Sequence, residues 1–236
     1  MSHVIGFAHR GAPLTRSDGN TLPAFERALQ LGAAGLETDI GLTADGVPVL
    51  VHSGISLRRG RQTGRLTRDQ LPVTMPSLRE LYERCGHDFD LSIDMAQPRS
   101  VEAVVAVAQE FGAFDRLWLT YWRLPTVMDW RRRWPHVHLV YPSIPLRFHG
   151  AMQLVDRLAE AGVDALNVQH RFCRERLITY AHRQNVRLFA WGIRSSRPLQ
   201  RVVHIGVDGV YCDNVEVMVR ILGPRRPEQD IVIDRR

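Results

Sequence analysis

The feature that most constrains this chain is a regular alternation of short apolar runs with amphipathic stretches. Runs that read as strands cover residues 4–9, 35–40, 89–94, 116–120, 138–141, 165–169, 187–191 and 209–212. A further extended run, 47–52, follows an Asp45-Gly46 turn. Between them the apolar residues recur at helical spacing over 22–31, from Ser77 onward, and over 101–111, 124–134, 151–161, 174–184, 198–205 and 215–222. Strands joined by helical crossovers argue a parallel sheet. Eight such units in 236 residues predict one closed (β/α)8 barrel rather than an open doubly wound sheet. Local signals agree. Asn20 or Thr21 can cap the first helix, and Ser77 with Glu80 forms a capping box. Gly32, Gly162 and Gly206 mark helix ends. The barrel is expected over 1–222, with a C-terminal tail rich in Pro, Arg and Asp over 223–236.

Composition narrows the class. A hydrophobic share of 44% with 24% charged residues is that of an ordinary globular chain. No lysine occurs, so all 31 basic residues are arginine, which reads as a codon bias. The arginines are scattered rather than gathered into a recognition motif, which argues against nucleic acid as a partner. The densest run, Arg131-Arg132-Arg133, is expected to be a solvated helix face. The net charge of +6 still favours anionic ligands or a lipid surface. Cys85, Cys173 and Cys212 lack metal-ligand spacing and cannot all pair, so reduced thiols and a cytoplasmic location are expected. Neither a signal peptide nor a transmembrane segment is read from the sequence.

The polar residues at the ends of the first runs carry the chemistry. His9-Arg10-Gly11 closes the first run, Glu37-Thr38-Asp39 the second, His52 the extended run, and Asp94 the run over 89–94. In (β/α)8 barrels the site lies at these C-terminal strand ends. Residues two apart in a strand point the same way, so Glu37 and Asp39 can aim at one cation, with Asp94 adding an oxygen from a neighbouring strand. An all-carboxylate set suits Mg²⁺, Ca²⁺ or Mn²⁺ better than zinc. His9 and His52 supply a group that takes a proton and one that gives it. Arg10 offers a fork of donors to a phosphate. A lone histidine at a strand end is ordinarily structural; the joint placement singles these residues out. The other histidines read as structural, with His170 the one most open to a second role because it too follows a strand.

With those residues in view, the chain resembles the glycerophosphodiester phosphodiesterase family. The matching segments are Phe7-Ala8-His9-Arg10-Gly11, Asn20-Thr21-Leu22-Pro23-Ala24-Phe25, Gly35-Leu36-Glu37-Thr38-Asp39-Ile40, Thr43-Ala44-Asp45-Gly46 and Val49-Leu50-Val51-His52. Pro76-Ser77-Leu78-Arg79-Glu80-Leu81, Leu91-Ser92-Ile93-Asp94, Ala190-Trp191 and Gly206-Val207-Asp208-Gly209-Val210-Tyr211-Cys212-Asp213 follow. The resemblance implies a TIM barrel of the phospholipase-C-like type that cleaves a glycerophosphodiester to glycerol 3-phosphate and an alcohol. It implies Glu37, Asp39 and Asp94 as ligands of a divalent metal, and His9 and His52 as the general acid–base pair. Arg10 matches a phosphate-binding position and Trp191 a wall of the glycerol pocket. In the family's mechanism a substrate hydroxyl attacks phosphorus first, and water then opens the cyclic phosphate.

The chain also departs from the family pattern. Asp18-Gly19-Asn20-Thr21 stands where the family has Pro-Glu-Asn-Thr, and Asp94-Met95-Ala96 where it has Glu-Ile-Lys. His52-Ser53 replaces His-Asp, and Trp191-Gly192-Ile193-Arg194 replaces Trp-Thr-Val-Asn. Arg194 and Arg123 are the candidates to supply the lost lysine's charge. The short segment after His52 leaves an open mouth that suits a bulky alcohol. Two other readings therefore stand beside the first: a phosphodiesterase for lysophospholipids, and a catalytically weak barrel with a binding role.

Overall fold

The computed structural model describes residues 4–15, 17–51, 63–143 and 148–225. Nine strands and eight helices are found among the described residues. In chain order they are β1 (Ile5–His9), α1 (Leu22–Gln30), β2 (Gly35–Leu42), β3 (Pro48–Val51), α2 (Leu78–Cys85) and β4 (Asp90–Met95). Next come α3 (Val101–Glu110), β5 (Leu117–Thr120), α4 (Leu124–Arg133), β6 (His138–Pro142), α5 (Phe148–Glu160) and β7 (Ala165–Gln169). The last are α6 (Glu175–Arg183), β8 (Arg187–Ile193), α7 (Ser196–His204), β9 (Gly209–Cys212) and α8 (Val215–Leu222).

Eight strands are parallel and close on themselves. β1 pairs with β2 on one side and β9 on the other, and the circuit runs β1-β2-β4-β5-β6-β7-β8-β9. The expected (β/α)8 barrel is thus the fold. The extended run after the Asp45-Gly46 turn is not a barrel stave. It forms β3, which folds back antiparallel on β2 with Asp39 opposite Val51 and Leu42 opposite Pro48. The hairpin prolongs β2 beyond the barrel and ends beside Asp39. His52, the next residue, lies outside the described residues, as do residues 226–236 of the expected tail.

Alternate residues of each stave point inward, and large side chains face small ones there. Phe7 is the centre of this filling. Its ring stacks on Tyr211 at 5.0 Å, tilts against Phe189 at 5.7 Å and meets Trp118 edge-on at 6.2 Å. Ile5, Val140 and Ala165 complete the cluster. Glycine is required where these rings press on the backbone. A Cβ at Gly35 would lie 2.7 Å from the Phe7 ring, and one at Gly209 2.7 Å from the Phe189 ring. Several buried polar groups within the barrel find partners. Ser92 and Tyr211 share a hydrogen bond of 2.9 Å, and Trp118 Nε1 donates to Asp90 at 2.8 Å. Outward-facing apolar residues pack under the helices in a second, larger core.

The helix-end signals read from the sequence are met in the structure with one exception. Ser77 caps α2 and Glu80 closes the capping box. Gly32, Gly162 and Gly206 each stand two residues past a helix at positive φ. The exception is at α1, where Thr21 holds the N-cap position without capping. Its hydroxyl donates to the Asp18 carbonyl at 2.6 Å, and Asn20 turns inward. The arginine run on α4 also does more than face solvent. Arg131 ties the helix to the Gly162, Pro135 and Val137 carbonyls and to Asp164, while Arg133 pairs with Glu102.

Phe7 is completely buried at the centre of the ring cluster, so Phe7→Ala removes the contact that three other rings share. It is expected to cost roughly 3–5 kcal/mol in urea unfolding with an unchanged m-value.

Candidate active site

Strand register builds the site. Asp39 on β2 pairs directly with Asp94 on β4, and Glu37 lies two residues below Asp39 on the same face. Glu37 is also opposite His9 on β1. The result is a compact carboxylate group: one oxygen each of Glu37, Asp39 and Asp94 lie within 4.8 Å of one another. Glu37 and Asp39 are buried, whereas Asp94 opens to solvent at the mouth. Asn20 braces the set. Its amide donates to Asp39 at 3.4 Å and to the Val51 carbonyl, and its side-chain oxygen accepts from Thr38 at 3.0 Å.

Such crowding is electrostatically costly. Burial, then the Asp94 charge, pushes Glu37 up to about 8. Burial, then Glu37 and Asp94, pushes Asp39 up to about 8. Asp94 is pushed to about 6, mainly by the protein packed around it; the open mouth lets water soften that effect. Arg10 opposes the rise at both Glu37 and Asp39. Arg10 sits at φ +58°, just past β1, and its N–H donates to Glu37 Oε2 at 3.0 Å. Gly11 follows at φ +80°, where a Cβ would strike the Ala24 backbone at 2.7 Å, so the turn that aims Arg10 admits only glycine. The donor set fits a hard divalent cation: three oxygens, clustered, accessible from one side and short of positive charge.

His9 is held from two sides. Its Nδ1 lies 2.6 Å from Asp213 Oδ1, and its Nε2 accepts from Arg10 Nε at 3.2 Å. These partners assign the ring proton to Nδ1 and the Nε2 lone pair to the Arg10 Nε–H, with Glu37 Oε2 3.8 Å from Nε2. The hydrogen bond from His9 and the neighbouring Arg194 guanidinium hold the Asp213 carboxyl below the usual carboxylate range. Arg194 Nε binds the other Asp213 oxygen at 2.9 Å.

Asp213 and Asn20 are the residues that reading for chemistry missed. Both lie in segments matched to the family; Asp213 directly follows the 209–212 strand, a position that could have marked it, whereas Asn20 lies in the loop before α1. Trp191 is at the mouth and 37% exposed, beside the Gly192 bulge that shifts the β8–β9 register. Of the two arginines considered for the lost lysine's charge, Arg194 is committed to Asp213, and Arg123 is exposed and lies over the Trp122 ring at 5.7 Å. Gly19, where the family has glutamate, lies against Arg10, and a Cβ there would meet Arg10 Cβ at 3.2 Å. A separate groove of about 910 Å³, between the β2–β3 hairpin and helices α2 and α3, contains none of the mouth residues.

A family model described as the glycerophosphoryl diester phosphodiesterase family matches residues 9–107 and 88–217. The chain belongs to that family. It is accordingly a phosphoric diester hydrolase. A glycerophosphodiester phosphodiesterase of Caldanaerobacter subterraneus is 24% identical over 247 residues, covering 93% of this chain and 98% of that protein. Among solved structures, the glycerophosphodiester phosphodiesterase of Thermotoga maritima matches with a TM-score of 0.75 at 22% identity, covering 94% of this chain and 99% of that one. An Oleispira antarctica phosphodiesterase, solved with sn-glycerol 3-phosphate as product, matches with a TM-score of 0.70 at 18% identity over 92% of this chain and 95% of that one. At these identities the structural likenesses carry the fold.

The raised carboxylates make a pH prediction. Folded Glu37 and Asp39 keep protons that the unfolded chain releases above about pH 4, so between about pH 4 and 8 the folded state binds more protons than the unfolded one. Without a divalent cation, stability therefore falls as pH rises through that window. Added Ca²⁺ or Mn²⁺ competes with those protons and should raise Tm more at pH 8 than at pH 5, as scanning calorimetry would read.

Proposed function

We propose that this phosphodiesterase is a divalent-cation-dependent enzyme that hydrolyses a glycerophosphodiester to glycerol 3-phosphate and an alcohol. The observation that carries the reading is the three-carboxylate cluster next to a histidine whose Nε2 lies 3.8 Å from a Glu37 oxygen. The product found with the Oleispira protein supports the same reaction.

In this reading Glu37, Asp39 and Asp94 hold Mg²⁺, Ca²⁺ or Mn²⁺, which when bound neutralises the phosphate oxygens. Asn20 fixes the Asp39 rotamer, and Arg10 binds a phosphate oxygen through its guanidinium. Asp213 keeps the His9 ring in one orientation and tautomer. His9 Nε2 takes the proton of the attacking glycerol hydroxyl, and His52 gives one to the departing alcohol. A new bond forms between that hydroxyl oxygen and phosphorus while the ester bond to the alcohol breaks, leaving a cyclic phosphate. Water then opens the ring with the proton transfers reversed, and glycerol 3-phosphate leaves. Trp191 walls the glycerol side of the mouth. Three cysteines without disulfides, two of them buried, suit the reducing cytoplasm.

The test is release of glycerol 3-phosphate from a panel of glycerophosphodiesters and lysophospholipids. Release should require Mg²⁺, Ca²⁺ or Mn²⁺ and stop with EDTA. His9→Ala and His52→Ala should each lower kcat by about 10²–10⁴-fold with the fold intact. Asp213→Asn should lower it by roughly 10²-fold, because the ring loses its alignment. Normal turnover in either histidine variant, or activity indifferent to EDTA, would refute the mechanism.

A further inference from the structure

The rim of the barrel mouth is chemically divided. The β1, β2, β4 and β9 side carries the histidine and the carboxylates. The other side carries aromatic rings. Three aromatic residues are exposed among the described residues: Trp122, Phe172 and Trp191. All three lie at the C-terminal ends of staves. Trp122 follows β5 and is 63% exposed, Phe172 follows β7, and Trp191 is near the end of β8 opposite Gln169. Trp118 and Trp130 are buried by comparison. Exposed tryptophan grouped on one face is unusual for a surface that meets only water.

The same segments are cationic. Residues 121–123, 170–174 and 194–197 hold Arg123, Arg171, Arg174, Arg194 and Arg197 and not one aspartate or glutamate. All five arginines are exposed. Arg194 is held by Asp213; the other four make no ion pair among the described residues. Arg123 lies over the Trp122 ring, which places a guanidinium and an indole on one spot. Indole rings flanked by unpaired guanidinium groups match the boundary of a phospholipid layer. There the ring enters the interface, and the cation meets lipid phosphates in a field of negative sign.

We propose that the β5–β8 side of the rim is an interfacial docking surface for an anionic phospholipid bilayer, which sets the mouth against lipid phosphodiester headgroups. Trp122 and Phe172 insert, the arginines pair with headgroup phosphates, and the recessed carboxylates stay behind a positive rim that screens them from the surface. No helix of the described residues is long and apolar enough to cross a membrane, so the contact proposed is peripheral. The purpose assigned to this contact rests on the phosphodiesterase reading above; its test does not.

The experiment is co-sedimentation of the full chain with vesicles of phosphatidylcholine alone and of equal parts phosphatidylcholine and phosphatidylglycerol, at low and at high salt. The expected result is binding to the mixed vesicles at least about tenfold tighter than to the neutral ones. The double variant Trp122→Ala, Phe172→Ala should weaken that binding by about tenfold or more, and Arg171→Glu with Arg197→Glu should erase the preference for anionic lipid. Both double variants should hydrolyse water-soluble glycerophosphocholine at the wild-type rate, which also reports that they fold. Absence of vesicle binding, or binding indifferent to the aromatic pair, overturns the docking surface. So does a dimer in sedimentation equilibrium that dissociates on Trp122→Ala, because a second copy would then cover the patch. Vesicle binding without hydrolysis of any diester overturns the enzymatic reading and leaves the surface standing.

Discussion

Three carboxylates on two adjacent staves approach one another within 4.8 Å, and each negative charge makes the next harder to hold. Glu37 and Asp39 are buried, so little water relieves the repulsion. Such an arrangement persists only where the backbone fixes it. Here the β2–β4 register pairs Asp39 with Asp94, and the β1–β2 register sets His9 opposite Glu37. Most of what surrounds the cluster bears on its charge. Arg10 donates its backbone N–H to Glu37 and brings a guanidinium, and Asn20 turns away from capping a helix to donate to Asp39. The remaining negative charge is the demand that a divalent cation would meet.

Closure of the barrel is the second requirement. Asp213 is 204 residues from His9 in sequence, yet the β1–β9 pairing brings the two side chains to 2.6 Å. Just below, Phe7 and Tyr211 stack across the same seam. The aromatic filling that closes the barrel therefore also aligns the histidine. Arg194, on the rim above β8, holds the second Asp213 oxygen and links a position where this chain departs from its family to the orientation of the ring.

Much of this was legible in the sequence because it depends on short-range periodicity. Alternation of strand and helix gave eight staves, and the two-residue spacing of Glu37 and Asp39 implied a common face. Ser77 with Glu80 and the glycines after α1, α5 and α7 marked helix ends correctly. What was not legible depends on distant pairing or on competition between roles. Asn20 and Thr21 look like caps, but the left-handed turn at Asn20 sends its side chain into the site and leaves the Thr21 hydroxyl to the Asp18 carbonyl. The run after Asp45-Gly46 reads only as an extended segment, and its pairing alone shows a hairpin built on β2. Arg131 looks like one of three solvated charges, and only the fold brings the Gly162 carbonyl and Asp164 to it. The Asp213 contact with His9 needed the closed barrel to be seen.

The central claim is that Glu37, Asp39 and Asp94 form one divalent-cation site. Direct titration with Mn²⁺ at neutral pH, following free Mn²⁺ by electron paramagnetic resonance, tests it without reference to turnover. The account predicts one saturable site per chain, weakened at least about tenfold by Asp39→Asn as a ligand charge is lost. No saturable binding, or binding unchanged by that substitution, would contradict it.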